Sequence, residues 1–217
     1  MRINEITKGT VPQMLEMLER NCGPYLQEIG GLENALLRYP LYRGTSPVTG
    51  IYKRVTVRND RIPMSTPIKI HNNIDNWFEA NSKNHIRYRS ASLFCSGSRR
   101  LASSYAEDSR GVVIVLPVGE YHYAWARQCA DLFEAILALS YEGGSPPDMS
   151  TFLPACEYLE DTDLTEAINS GHEIMLHCKE AILINNGFFR SNEILRALKM
   201  PVPKPKFTVQ DFTRPEQ

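Results

Sequence analysis

The stretch Ser92-Leu-Phe-Cys-Ser-Gly-Ser-Arg-Arg-Leu-Ala-Ser-Ser-Tyr-Ala106 gathers small polar side chains around one turn of the chain. It opens as a short apolar run ending at Cys95, turns at Ser96-Gly97-Ser98, and continues with helical spacing through Leu101, Ala102 and Tyr105. Ser98 suits an N-cap, because its hydroxyl accepts a backbone N–H one turn on. A strand, a tight turn and a helix start put hydroxyls and backbone N–H groups at one point, which suits a phosphate or a ribose. The same residues also read as an ordinary strand-to-helix connection. Two more chemistry-bearing side chains fall at element ends: Arg43 in Leu41-Tyr-Arg-Gly44, and Glu173 in Glu173-Ile-Met-Leu176.

The elements that position these residues follow from periodicity. Residues 11–38 read as helical: Thr10 caps, Pro12 suits the first turn, and Met14, Leu15, Met17 and Leu18 form an apolar stripe, broken at Gly23-Pro24. Leu41–Gly44 is a short strand running into a turn, and the β-branched run Ile51–Arg58 is expected to pair with it. Residues 59–71 read as a long loop, with Asn72 or Asn73 capping a helix that carries Ile74, Trp77 and Phe78 into the core. Ile86–Arg89 reads as a short alternating strand. Gly111–Pro117 is a continuous apolar run, expected as a central strand buried on both faces, and Glu120–Ala126 continues it in extended form. Asp131–Tyr141 has helical spacing, and residues 150–169 read as one or two short helices. Gly171–Cys178 and Glu180–Ile184 read as two late strands, followed by a helix over Phe188–Leu198. One α+β domain is the simplest architecture, with residues 1–40 as an N-terminal helical cap, 41–200 as the main domain, and the proline-rich 201–217 as an extended tail.

Composition narrows the function classes. The chain has 217 residues and a formal net charge of −1, which argues against a general nucleic-acid coat or a membrane-surface anchor. Arg87, Arg89, Arg99 and Arg100 read either as a local basic rim, which would favour an RNA- or DNA-directed activity, or as a solvated face. The five cysteines form no CxxC, and the only Cys/His neighbours are His177-Cys178, so neither a disulfide framework nor a zinc site is expected. No apolar run approaches the roughly 20 residues of a membrane span, and the polar start lacks a secretory core, so a cytoplasmic protein is expected.

The order of Arg43, Ser96-Gly97-Ser98 and Glu173 resembles the ADP-ribosyltransferase superfamily. In its Arg-Ser-Glu members an early Arg, a Ser-Thr-Ser-like strand and a late Glu line a split-sheet NAD site. A second likeness is to the diphtheria-toxin and poly-ADP-ribose-polymerase type. There a strand leads to a helix bearing a nicotinamide-stacking Tyr and then to an apolar strand, as Leu93–Cys95, Tyr105 and Gly111–Gly119 do here. The His of that class is absent and Arg43 stands in its place. The run Arg-Ser-x-x-Leu-Phe, followed by Ala-x-x-Tyr, also resembles phage-encoded proteins. The likeness covers about residues 41–185. It departs at Gly171, where Arg- and Asn-modifying members carry Gln or Glu, and at Gly97, where they carry Thr.

The resemblance implies an α+β split-sheet core and a mono-ADP-ribosyltransferase that uses NAD as substrate without a metal. It implies an unidentified macromolecular acceptor, a protein in preference to a nucleic acid, and a host cytoplasm if the chain is phage-encoded. Glu173 would stabilise the oxocarbenium-like ribose as the nicotinamide bond breaks. Ser96 would orient Glu173 through its hydroxyl. Arg43, Gly44 and Ser98 would bind NAD, Arg43 at the pyrophosphate or the nicotinamide ribose, and Tyr105 would stack on nicotinamide. Each residue also has a plain structural reading: Arg43 in an ion pair, Ser96 and Ser98 as turn and cap, Tyr105 in the core, and Glu173 as an exposed strand start, with Glu180 as its competitor. A binding module that keeps the fold without turnover is the alternative.

Overall fold

A computed structural model describes residues 3–7, 10–63, 66–143, 146–187 and 192–199. Thr10 begins the first helix, α1 (Val11–Asn21), through a capping box: its side chain accepts from Gln13 N while the Gln13 side chain accepts from Thr10 N. The buried face of α1 carries Val11, Met14, Leu15 and Leu18. A second helix, α2 (Gly23–Ile29), follows at once, and a π-helical turn spans Asn34–Arg38. The expected helical region is therefore three pieces, preceded by a strand, β1 (Ile3–Thr7).

Among the described residues, seven strands form one sheet. They are β1, β2 (Tyr42–Gly44), β3 (Tyr52–Thr56), β4 (Leu93–Ser96), β5 (Val112–Ala126), β6 (Tyr158–Glu160) and β7 (Glu173–Asn185). The order is β1-β3-β7-β4-β2-β5-β6, with a further pairing of β7 to β5. Because β2 bonds both β5 and β4, and β4 bonds β7, these four strands close on themselves. The expected pairing of β2 with β3 does not form, since β3 lies between β1 and β7. The two late strands are one, because Glu180 ion-pairs with Arg54 of β3 at 2.6 Å and so the polar Lys179-Glu180 step stays within the ladder. The apolar run at 112–116 is buried as expected, and β5 continues past a bulge between Val118 and Tyr121 to Ala126.

Helices cover the sheet in two groups. Residues of α1, α2 and α8 (Leu164–Ser170) pack with Val115, Ile174 and Leu176 in the larger apolar cluster. The second cluster takes Ile70, Ile74 and Phe78 from α3 (Ile68–Asn81), Tyr88 from α4 (Tyr88–Ala91), Leu132 and Ile136 from α6 (Leu132–Gly143), and Leu153 from α7 (Met149–Ala155). Along β7 the period-2 alternation sends Ile174 and Leu176 to one cluster and Met175 to the other. Glu173 shares the parity of Met175, so the strand starts with a carboxylate aimed toward the second group of helices.

Three local expectations change. The helix predicted from Asn72 starts at Ile68, where Pro67 ends the loop and Ile70, Ile74 and Phe78 make the i, i+4, i+8 stripe. The strand predicted at Ile86–Arg89 is instead the short helix α4, because buried Asp75 takes the backbone N–H groups of both Arg89 and Ser90. Strand β6, unexpected between two short helices, pairs with Ala124–Ala126. At the C-terminal end α9 (Asn192–Ala197) stands within the expected helix, whose residues 188–191 lie outside the described residues, as does the tail 201–217. Among the described residues no helix is long and apolar enough to cross a membrane.

Candidate active site

The register of three neighbouring strands assembles the site. Tyr42 of β2 pairs with Ser96 of β4, and Ser96 pairs with Glu173 of β7. Arg43, Ser96 and Glu173, 130 residues apart at their extremes in the chain, thus line one cavity of about 360 Å³. That volume lies at the small end of the roughly 300–1,000 Å³ typical of ligand pockets. Gly44 and Tyr105 line it too, as do Arg61, His71, Arg89, Phe94 and Asp131.

Glu173 sits deep in this cavity, its side chain only 11% exposed. Arg89 Nη1 donates to both carboxylate oxygens, at 2.9 and 3.2 Å. Burial raises the Glu173 pKa above the ordinary carboxylate value, and the Arg89 guanidinium opposes that rise. Arg89 is itself fixed from behind. Asp75, fully buried, accepts from Arg89 N at 2.9 Å and Ser90 N at 3.2 Å, and also from the Ser90 hydroxyl. His71 Nε2 lies 2.9 Å from the same hydroxyl. Since that hydroxyl gives its proton to Asp75, His71 is assigned the tautomer that donates from Nε2. Burial holds the His71 pKa below its usual value.

Ser96 does not reach Glu173. Its hydroxyl donates to Gly171 O at 2.6 Å and accepts from Ser98 N at 2.9 Å. It is a positioning group that ties the turn after β4 to the residue two before Glu173. The Ser98 N–H is taken by the same bond and so is not offered to a phosphate. Ser98 Oγ caps α5 (Arg99–Ser104) by accepting from Leu101 N, and Ser98 is not among the residues lining the cavity. Two glycines here are required by close approach. A Cβ on Gly97 would sit 1.7 Å from Ile168 O of α8, and one on Gly44 would sit 2.2 Å from Ala102 O of α5. Gly171, with φ +71°, ends α8.

Arg43 forms no ion pair among the described residues. Its Nη1 donates to Phe94 O at 2.9 Å, and burial lowers its pKa. Tyr105 is not in the core: it is 51% exposed, and its hydroxyl donates to Asp131 at 2.5 Å. Burial and this bond raise the tyrosine pKa. Asp131, 7% exposed, also accepts from Glu134 N in the first turn of α6. Glu180, the competitor for the catalytic role, is engaged by Arg54 away from the cavity.

Sequence reasoning misses Arg61, Arg89, His71, Asp75 and Asp131. Arg89 has a signal in the Arg-Ser-x-x-Leu-Phe run, yet charge patterning groups it with Arg87, Arg99 and Arg100. Those three are exposed, whereas Arg89 is 7% exposed, so the four do not form one rim. Asp131 is legible as a helix start but not as a cavity residue. Arg61 lies in a loop with no pattern to mark it.

Comparison with protein-family models, with curated proteins and with solved structures returns no match for this chain.

Proposed function

We propose that this chain cleaves the nicotinamide–ribose bond of NAD and transfers ADP-ribose to a macromolecular acceptor. The observation that carries the reading is the convergence of Arg43, Ser96 and Glu173 from three adjacent strands on one cavity, with the nearly buried Glu173 carboxylate inside it. As the C1′–N bond breaks, its electron pair leaves with nicotinamide and the ribose acquires positive charge. A carboxylate held at a largely buried position opposes that charge far more strongly than one in water. Arg89 favours the ionised form of Glu173 against the cost of burial, and Asp75 fixes the backbone from which Arg89 reaches it. Ser96 fixes Gly171, and so the approach to the strand start, rather than the carboxylate itself. The exposed Tyr105 ring offers a face for the nicotinamide, with its hydroxyl anchored on Asp131. The acceptor then bonds to C1′ and releases a proton. That proton passes to one of the two carboxylates in the cavity lining, Glu173 or Asp131, since Gly171 offers no side chain to take it.

A binding module of the same fold is the second reading, favoured by one feature: both oxygens of Glu173 are already engaged by Arg89. The purified chain, incubated with NAD, separates the two. Release of nicotinamide, with ADP-ribose on added protein or in water by mass spectrometry, is the expected result. NAD binding in calorimetry with no nicotinamide released would replace the enzyme by the module.

A further inference from the structure

Arg61 enters the cavity from the loop between β3 and α3. Its backbone N donates to Ser90 O at 3.1 Å, so the loop is tied to the same segment that carries Arg89. Its guanidinium carbon lies 4.2 Å from the centroid of the Phe94 ring, and that of Arg89 lies 4.2 Å from the same centroid. Phe94 therefore orients two guanidinium groups by stacking. Arg89 spends its charge on Glu173. Arg61 does not: its Nη1 is buried with no hydrogen-bond partner, and it has no ion pair among the described residues. Arg43 is a second cation with no carboxylate partner among the described residues; its Nη1 donates to Phe94 O. Among the described residues the cavity lining thus holds three guanidinium groups, Arg43, Arg61 and Arg89, against the two carboxylates Glu173 and Asp131. Asp131 is occupied by the Tyr105 hydroxyl and the α6 backbone. A buried guanidinium with an unused donor is unfavourable until an anion completes it.

We propose that Arg61, together with Arg43, forms an anion seat in this cavity that takes a diphosphate group. Guanidinium forks match phosphate oxygens in pairs, and two guanidinium groups with no carboxylate partner among the described residues, lining one cavity, match two linked phosphates. That the diphosphate belongs to NAD rests on the transferase reading above; the seat itself needs only the phosphates. Arg61 lies outside the Arg-Ser-Glu pattern, and its part is to anchor the ligand while Glu173 acts on the ribose.

The test uses the full chain, with inorganic pyrophosphate and ADP as probes, since neither can be cleaved at a nicotinamide bond. Calorimetry is expected to show both binding, with affinity falling as salt rises. Arg61→Met, which keeps a stem over Phe94 and removes the fork, is expected to weaken ADP binding at least tenfold. Arg61→Lys, which keeps the charge alone, is expected to fall between. ADP is also expected to raise the melting temperature of the unaltered chain, a readout that stands if Arg61→Met fails to fold. Equal ADP affinity in Arg61→Met and wild type overturns the seat, and so does the absence of any ADP-induced rise in melting temperature. The two readings fail separately: ADP binding without NAD cleavage removes the transferase and keeps the seat, whereas NAD cleavage with binding indifferent to Arg61 removes the seat and keeps the transferase.

Discussion

Glu173 is held between two opposing effects, and the balance between them sets how the site responds to pH. Burial favours the protonated acid, and Arg89 favours the carboxylate; burial prevails, so the folded pKa stands above the ordinary one. A group raised in this way adds stability below its unfolded pKa and loses that contribution as pH rises through its folded value. The proposed activity has the opposite sense, because the ionised form is the one that would oppose a developing cation. The acidic limb of kcat/KM is therefore expected above the ordinary carboxylate range. Arg89→Met removes the opposing charge. The limb should move to still higher pH, and the variant should lose about 3–5 kcal/mol of stability near neutrality, the usual cost of stranding a buried charge. Part of that loss should return on acidification, as Glu173 protonates. Urea unfolding at several pH values, beside a pH–rate profile, reads both, and a limb that stays in place would show that Arg89 does not control this carboxylate. At this scale the sequence announces residue types with an evident chemical role: Arg43 at a strand end, Glu173 at a strand start, Tyr105 on the following helix. It hides Arg61, because a loop arginine differs from a solvated one only in what the fold lays over it, here Phe94.

Among the elements, the β4–turn–α5 unit does most to hold the site in shape, and it does so by packing rather than by offering N–H groups to a ligand. Ser96 bonds Gly171 on one side of the turn, and Gly97 lies against Ile168 O on the other. Any Cβ at Gly97 drives α8 away from the turn and strains the link to the start of β7. Gly97→Ala is expected to cost about 1–3 kcal/mol, the range for overpacking a filled site, and to lower turnover more than ADP affinity. Denaturant melts and steady-state kinetics measure the two effects; a variant as stable and as active as wild type would mean that the contact relaxes freely. Elements with strong local signals are legible in the sequence. The capping box of α1, the apolar run of β5 and the cap of α5 all fall where periodicity and cap chemistry put them. Elements fixed by distant partners are not. Helix α4 exists because Asp75 reaches two of its N–H groups, β6 because β5 offers an edge, and β7 runs unbroken because Arg54 meets Glu180 across the ladder.

Across the whole molecule, the site exists because β2, β4 and β7 are neighbours although the chain visits them at residues 42–44, 93–96 and 173–185. Strand order is a non-local property, which periodicity in one sequence does not encode; the mixed helix-and-sheet class is legible and the pairing of β2 is not. The N-terminal helices are part of the same core, since Val11, Met14, Leu18 and Tyr25 are fully buried against the sheet that carries the site. A formal charge of −1 over the whole chain conceals a cavity in which guanidinium groups outnumber carboxylates. That arrangement suits a phosphorylated substrate better than overall composition implies. In the proposed reaction Glu173 acts on the transition state of nicotinamide–ribose cleavage. Glu173→Gln keeps the shape of the side chain and removes its charge. The decisive measurement is nicotinamide release by this variant and by the wild type at equal NAD occupancy. A fall in turnover of roughly 10²–10³ is expected, the scale for losing one preorganised electrostatic group, with NAD affinity largely kept. An active wild type matched by an equally active Glu173→Gln variant would contradict it.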